Sequence, residues 1–240
     1  MAKKRTIVGS PLTPSVLSEL DAVDRFPSTP GDFDPAGNWV NAYRIWTCHG
    51  YRESGNENVG FLRIERTAGS GRQSGLTIHQ EVVQTDGIVS VIDGRIRCRN
   101  DRLASLVQWS LSSRFKGSEG RDLAELASRR EGAAEETGGR TTGDWCLFEA
   151  VQRLAFDRQE ALSFDLLEGL SLSKPGQRLS YRGVSPMKVG DEKMSLHCFA
   201  QLGRGLLPCE YWLDVHHRLL AVISMNKAYI LDDQAEKASR

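Results

Sequence analysis

Toward the C-terminus, apolar and polar positions alternate with a period of two. Met194, Leu196, Cys198 and Ala200 alternate with Ser195, His197, Phe199 and Gln201, the spacing of a strand with one covered face. The glycines of Gly203-Arg204-Gly205 suit a tight hairpin loop. In the return run, Cys209, Tyr211, Leu213 and Val215 fall on one face and Glu210, Trp212, Asp214 and His216 on the other, with Pro208 fitting a strand start. Leu219 to Ile223 is apolar on both faces, as in a strand covered on two sides. Ala228 to Leu231 closes the series after a turn at Met225-Asn226-Lys227, and Asp232 to Arg240 follows as a polar tail. The pattern from Lys193 to Leu231 therefore predicts a small antiparallel meander with something packed over it.

The same period runs through the first half. Asn38 to Cys48 reads as a strand with Trp39, Tyr43 and Ile45 opposite Val40, Ala42, Trp46 and Cys48. Val59 to Thr67 and Leu76 to Gln84 follow. Asp86-Gly87 and Asp93-Gly94 are the strongest local hairpin signals and bracket a strand over Ile88 to Ile92. Arg95, Arg97 and Arg99 then alternate with Ile96 and Cys98, and Leu103 to Phe115 makes a meander of about six strands.

Lys116 to Gly143 interrupts the pattern with runs of charge and only Leu123 and Leu126 as large apolar residues, predicting a mobile, exposed insertion with a short helix over Asp122 to Arg130. Asp144 has the place of an N-cap, and Trp145, Phe148, Val151 and Leu154 follow at helical spacing. That helix, from about Asp144 to Ala155, is the natural cover for the sheet. Leu162 to Leu172 fits helix or extended chain equally, Lys174-Pro175-Gly176 reads as a turn, and Gln177 to Val184 opens the C-terminal strands. Residues 1–37 hold five of the eight prolines and predict an arm, helical only over Ser15 to Phe26. The fold class is mainly β: one domain over residues 38–231, formed by one large curved antiparallel sheet or open half-barrel covered by a helix.

Composition narrows the function. Thirty-one basic and thirty-one acidic residues cancel, which removes the electrostatic footprint of a nucleic-acid binder. No apolar run approaches the roughly 18 to 20 residues of a membrane-spanning helix, so a soluble chain is expected. The start is too polar and proline-broken for an export signal, which points to the cytoplasm. Five cysteines, odd in number and without a CxxC pair, read as reduced, buried small hydrophobes.

Catalytic and cofactor motifs are scarce. The loop Gly69-Ser70-Gly71 to Gly75 departs from GxGxxG and precedes a strand where phosphate binding needs a helix N-terminus. His216 and His217, adjacent on the chain, would point to opposite faces of a strand and read as a solvated turn pair. Cys48-His49, His197-Cys198 and His79 have no metal-ligand spacing. Glu210 and Asp214 share a face but stand about 13 Å apart on a strand, too far for a glycosidase pair. No cofactor or metal is expected. Trp212, opposite the Tyr211 face, is the leading candidate to line a cavity between sheet and helix and to bind a ligand there, together with Glu210 and Asp214 beside it and Trp46 from the first strand. The stripe Arg95, Arg97 and Arg99 offers three guanidiniums on one face, either for phosphates or head groups or as a solvated surface.

The helix from Trp145 to Leu154, the Pro175-Gly176 turn and the strands ending in Tyr211-Trp212-Leu213-Asp214 and Tyr229-Ile230-Leu231 resemble, in order, bacterial proteins with the lipoprotein-carrier fold. The resemblance covers about the last ninety residues. It implies an open antiparallel half-barrel plugged by helices, a periplasmic setting and noncatalytic lipid handling. Three expectations follow: a binding or carrier protein for an apolar or lipid-like ligand; a structural or scaffold domain with a protein partner; and, with least support, a hydrolase whose site gathers distant Cys and His residues.

Overall fold

The computed structural model describes residues 26–48, 56–69, 71–133, 140–157, 159–189, 191–224 and 226–238. The predicted helix over Ser15 to Phe26 lies, but for its last residue, outside them. Among the described residues, thirteen strands form one sheet. They are β1 (Trp39–Thr47), β2 (Glu57–Ala68), β3 (Gln73–Val83), β4 (Val89–Arg99), β5 (Leu106–Lys116), β6 (Ser128–Ala133), β7 (Thr141–Gly143), β8 (Leu162–Glu168), β9 (Leu172–Val189), β10 (Glu192–Leu202), β11 (Cys209–Leu213), β12 (Leu219–Ser224) and β13 (Lys227–Leu231). Helix α1 spans Asp144–Ala150 and α2 spans Ala235–Ala238.

The order in the sheet is β6-β5-β4-β3-β2-β1-β13-β12-β11-β10-β9-β8-β7. Each half is a meander, and the first and last strands join them, Tyr43 facing Leu231 and Ile45 facing Tyr229. Every ladder is antiparallel except β7 with β8. The sheet curls until β7 approaches β5, where the Thr142 hydroxyl donates to the Leu103 carbonyl at 2.7 Å. It stays open, because β6 and β7 are its two edges.

Register fixes the faces. Leu62, Tyr43 and Leu231 lie in one cross-strand row, and Ile45, Tyr229, Val222, Tyr211 and Phe199 in another. Residues directly opposite share a face, so these rows form one continuous apolar surface. Phe148 of α1 lies on it, with its ring edge-to-face with Tyr43 and Tyr229 at 5.4 Å each and with Tyr211 at 6.3 Å. This is the concave face, and α1 is the cover that the helical spacing predicted. The reverse row through Trp212 holds Cys198 and Ala221 and is also buried.

Several local expectations differ from what tertiary packing selects. Asp86-Gly87 makes the predicted turn, with Gly87 at φ 78° and the Asp86 carboxylate accepting from Ile88 N–H. Asp93-Gly94 does not turn; it lies within β4. A Cβ at Gly94 would stand 3.2 Å from Leu111 and 3.3 Å from Ile78, so glycine serves close packing on the concave face. Pro175-Gly176 likewise stays inside β9 as an irregularity, and Gly176 N–H donates to Asp165. The ambiguous Leu162 to Leu172 resolves into strand β8.

In residues 116–143 the structure has one 3₁₀ turn at Ala124–Leu126, then strand β6 on β5 in place of a longer helix. The residues of β6 are mostly exposed. Helix α1 is shorter than expected and passes into a 3₁₀ turn at Val151–Arg153. Its N-cap is Gly143; Asp144 is the first helical residue and accepts from Gly169 N–H at 2.7 Å. The polar tail is tied down: Asp232 pairs with Arg44, Asp233 with Arg218 and Glu236 with Arg63.

Candidate functional site

Between the concave face and α1 lies a cavity of about 550 Å³, within the roughly 300 to 1,000 Å³ usual for small-molecule sites. Gln80, Ile92, Leu111, Ser113 and Arg130 contribute one wall from β3 to β6. Cys209, Tyr211, Val222, Lys227 and Tyr229 contribute the facing wall from β11 to β13. Trp145 and Phe148 form the roof, with Leu166 and Glu168 of β8 beside them and Leu206 and Leu207 at the hairpin rim. Alternation explains this membership: each lining strand residue stands two positions from the next, with its neighbours turned to the other face.

The polar groups of the cavity, which also include Gln201, Ser224 and Asn226, are unequally satisfied. Tyr211 donates to the Gln201 side chain at 2.8 Å. The Tyr229 hydroxyl makes no hydrogen bond among the described residues, and burial, then the nearby Asp144 and Cys209, raises its pKa. Burial lifts the Asp144 carboxyl to about 6, against the Gly169 N–H that favours its charged form and with help from Glu168. The Cys209 thiol is pushed up to about 12, chiefly by burial. Burial thus keeps the tyrosine hydroxyls and the thiol in their neutral forms at neutral pH, where they offer hydrogen bonds.

The closed end around α1 is different in character. Glu149, fully buried, receives Arg66 Nε at 2.8 Å and Arg153 Nε at 2.6 Å. Arg66 also donates to the carbonyls of Ala36 and Gly37 and to Asn100. Gln152 accepts from Asn41 and from Leu219 N–H and donates to the Phe148 carbonyl. The Cys98 and Cys146 sulfurs, both buried, stand 3.5 Å apart between β4 and the helix. Phe156, just beyond the helix, is stacked between the rings of His197 at 3.7 Å and His217 at 3.8 Å.

The residues singled out from the sequence fall elsewhere. Trp212 is buried on the reverse of the sheet, and its indole N–H has no partner among the described residues. Trp46 shares that face, opposite Ala228, as does Glu210, opposite Ala200 and Ile223. Asp214 lies past the end of β11, where its carboxylate accepts from the N–H groups of His216 and Arg218 and from the Thr29 hydroxyl. It borders a hollow of about 680 Å³ at the sheet's exterior, with Phe26 to Thr29 and Val215. Arg95, Arg97 and Arg99 are exposed on the outer face of β4, and Arg97 donates to Gln108 at 2.5 Å. None of these seven lines the inner cavity. The sequence signal that points there is the Tyr211 and Tyr229 face. Tyr211 was expected in the core and Lys227 in a turn, with Tyr229 only part of the closing run. His217 is half-buried against Phe156, where burial lowers its pKa, although it was expected to be solvated.

Among the described residues, no three His, Cys, Asp or Glu side chains are arranged to hold a metal ion. No helix there is long and apolar enough to cross a membrane. No family model matches the chain, and no curated protein matches it. Among solved structures it is similar to a crystal structure described as a β-barrel-like protein of a domain of unknown function, DUF1849, from Brucella abortus. The TM-score is 0.51 at 10% identity, over 82% of this chain and 96% of that one. That likeness shows a shared barrel-like fold.

Proposed function

We propose that this protein is a noncatalytic binding or carrier protein whose half-barrel cavity accepts an apolar or lipid-like ligand. The observation that carries the reading is the cavity of about 550 Å³ between α1 and the concave face. Its lining joins an aromatic and aliphatic set, Ile92, Leu111, Trp145, Phe148, Leu166 and Val222, to polar and charged groups that can fix one end of a ligand. The tyrosine and thiol pKa values raised by burial favour binding over chemistry, since a nucleophile needs an ionised form or a base within reach. The resemblance of the C-terminal part to lipoprotein carriers supports the same reading. Native mass spectrometry of protein purified without detergent, followed by organic extraction, tests it. The expected result is a released small molecule of low polarity or, for an emptied protein, one-to-one uptake of an added amphiphile. Protein that neither carries nor takes up such a molecule would contradict the proposal.

A further inference from the structure

The cavity's charges indicate which polar end its ligand carries. Two carboxylates line it, and each has a partner: Glu168 is 3.7 Å from the Lys174 ammonium, and Asp144 accepts from Gly169 N–H. Its two cations have none. Lys227, on the concave face of β13 two residues before Tyr229, forms no ion pair or side-chain hydrogen bond among the described residues, although it is half-buried. Arg130, on β6 at the facing wall, also makes no ion pair among them. Burial depresses the Lys227 pKa, the response of an ammonium that has lost water and gained no counter-charge. A half-buried cation is costly unless an anion joins it. Elsewhere inside the barrel this protein supplies that anion itself, as Glu149 does for Arg66 and Arg153. At Lys227 no described residue does.

Resting on the carrier reading, we propose that the cavity takes an anionic amphiphile. Its apolar body packs against Phe148, Ile92 and Leu166, and its carboxylate or phosphate end is held by Lys227, with Arg130 facing it across the opening. The Tyr229 hydroxyl, two positions along the same strand, is placed to donate a hydrogen bond to the same end group. An ammonium meeting an anion out of bulk water forms a charge-assisted hydrogen bond, which a neutral hydroxyl cannot match.

The test is displacement of a neutral fluorescent probe, N-phenyl-1-naphthylamine, from the full-length protein by dodecanoate, dodecyl phosphate and dodecanol. The wild type is expected to prefer at least one anion over the alcohol by about tenfold, the worth of one charge-assisted bond. Lys227→Met should bring the three competitors together, and Arg130→Gln should reduce the preference by a smaller factor. Lys227→Gln serves as the second variant if the first fails to melt cooperatively. The ratio of dodecanoate to dodecyl phosphate identifies the end group. Dodecanol competing as well as both anions in the wild type, or a preference that survives both Lys227 substitutions, would overturn this inference while leaving the carrier reading standing. Failure of all three to displace the bound probe would overturn this inference alone, and failure of the probe itself to bind would remove both.

Discussion

The two ends of the half-barrel interior both hold buried polar groups, and they hold them in opposite ways. At the closed end, Glu149 answers two arginines, and Gln152 bridges α1 to β1 and β12 with both its oxygen and its nitrogen bonded. In the cavity, the Tyr229 hydroxyl and the Lys227 ammonium have no partner among the described residues. The difference separates polar groups that hold the fold from polar groups available to a ligand. Burial alone does not make that distinction, because both ends are lined by buried aromatic and aliphatic side chains. Between these two regions hydrogen-bond satisfaction does, while the unpartnered indoles of Trp46 and Trp212 lie outside both, on the reverse of the sheet.

The sharpest way to break the comparison is to unbalance the closed end. Glu149→Gln removes the only carboxylate facing Arg66 and Arg153 among the described residues, and breaking a buried ion pair costs about 3 to 5 kcal/mol. Urea unfolding should report a loss of that size; a loss below about 1 kcal/mol would mean that water replaces the carboxylate.

A smaller effect is expected at the sheet edge. Replacing residues 118–139 with a brief Gly-Ser link removes β6, which is exposed and packs chiefly as backbone over Trp109, whose ring would stand 2.4 Å from a Cβ at Gly132. Thermal unfolding should register a loss under about 2 kcal/mol. A greater loss would place β6 with the stabilising elements and not with the rim of the cavity.

An effect of similar size, confined to a window of pH, belongs to the cavity's own acid. The Asp144 pKa is raised to about 6 from 3.8. The folded state therefore holds this proton more tightly than the unfolded chain does. The resulting stabilisation is fully present below about pH 4 and is lost as pH rises through about 6. Asp144→Asn removes that dependence, so its stability relative to wild type should improve by about 2 kcal/mol from pH 4 to pH 7. A constant difference across that range would show that the carboxyl titrates normally.

Much of the fold was readable in the chain. The alternation of Met194 to Ala200, the glycines at 203 and 205 and the helical spacing from Trp145 each led to the observed element. What failed had a shared cause. Asp93-Gly94 carries a strong local turn preference, but the ladders with β3 and β5 on either side override it, and Asp93 instead bonds His79 and Arg114 at 2.7 Å each. Strand β6 was invisible because a mostly exposed edge needs no apolar period. The residues singled out from the sequence lie on the other side of their strands from the cavity for a further reason. Leu219 to Ile223 is buried on both faces, so a period of two says which residues share a face but not which face meets the helix. The pairing of Tyr211 with Val222, and of Val222 with Tyr229, is long-range information, and Lys227 took its meaning only from it.

The central claim is that the space under α1 is a binding site and not a packing defect. The measurement that tests it most directly is fluorescence titration of N-phenyl-1-naphthylamine into the wild type and into Ile92→Trp, which fills the cavity from a half-buried position on β4. The account predicts saturable one-to-one binding to the wild type, and its loss in Ile92→Trp with the melting temperature preserved. Undiminished binding by a folded Ile92→Trp variant, or no saturable binding by the wild type, would contradict it.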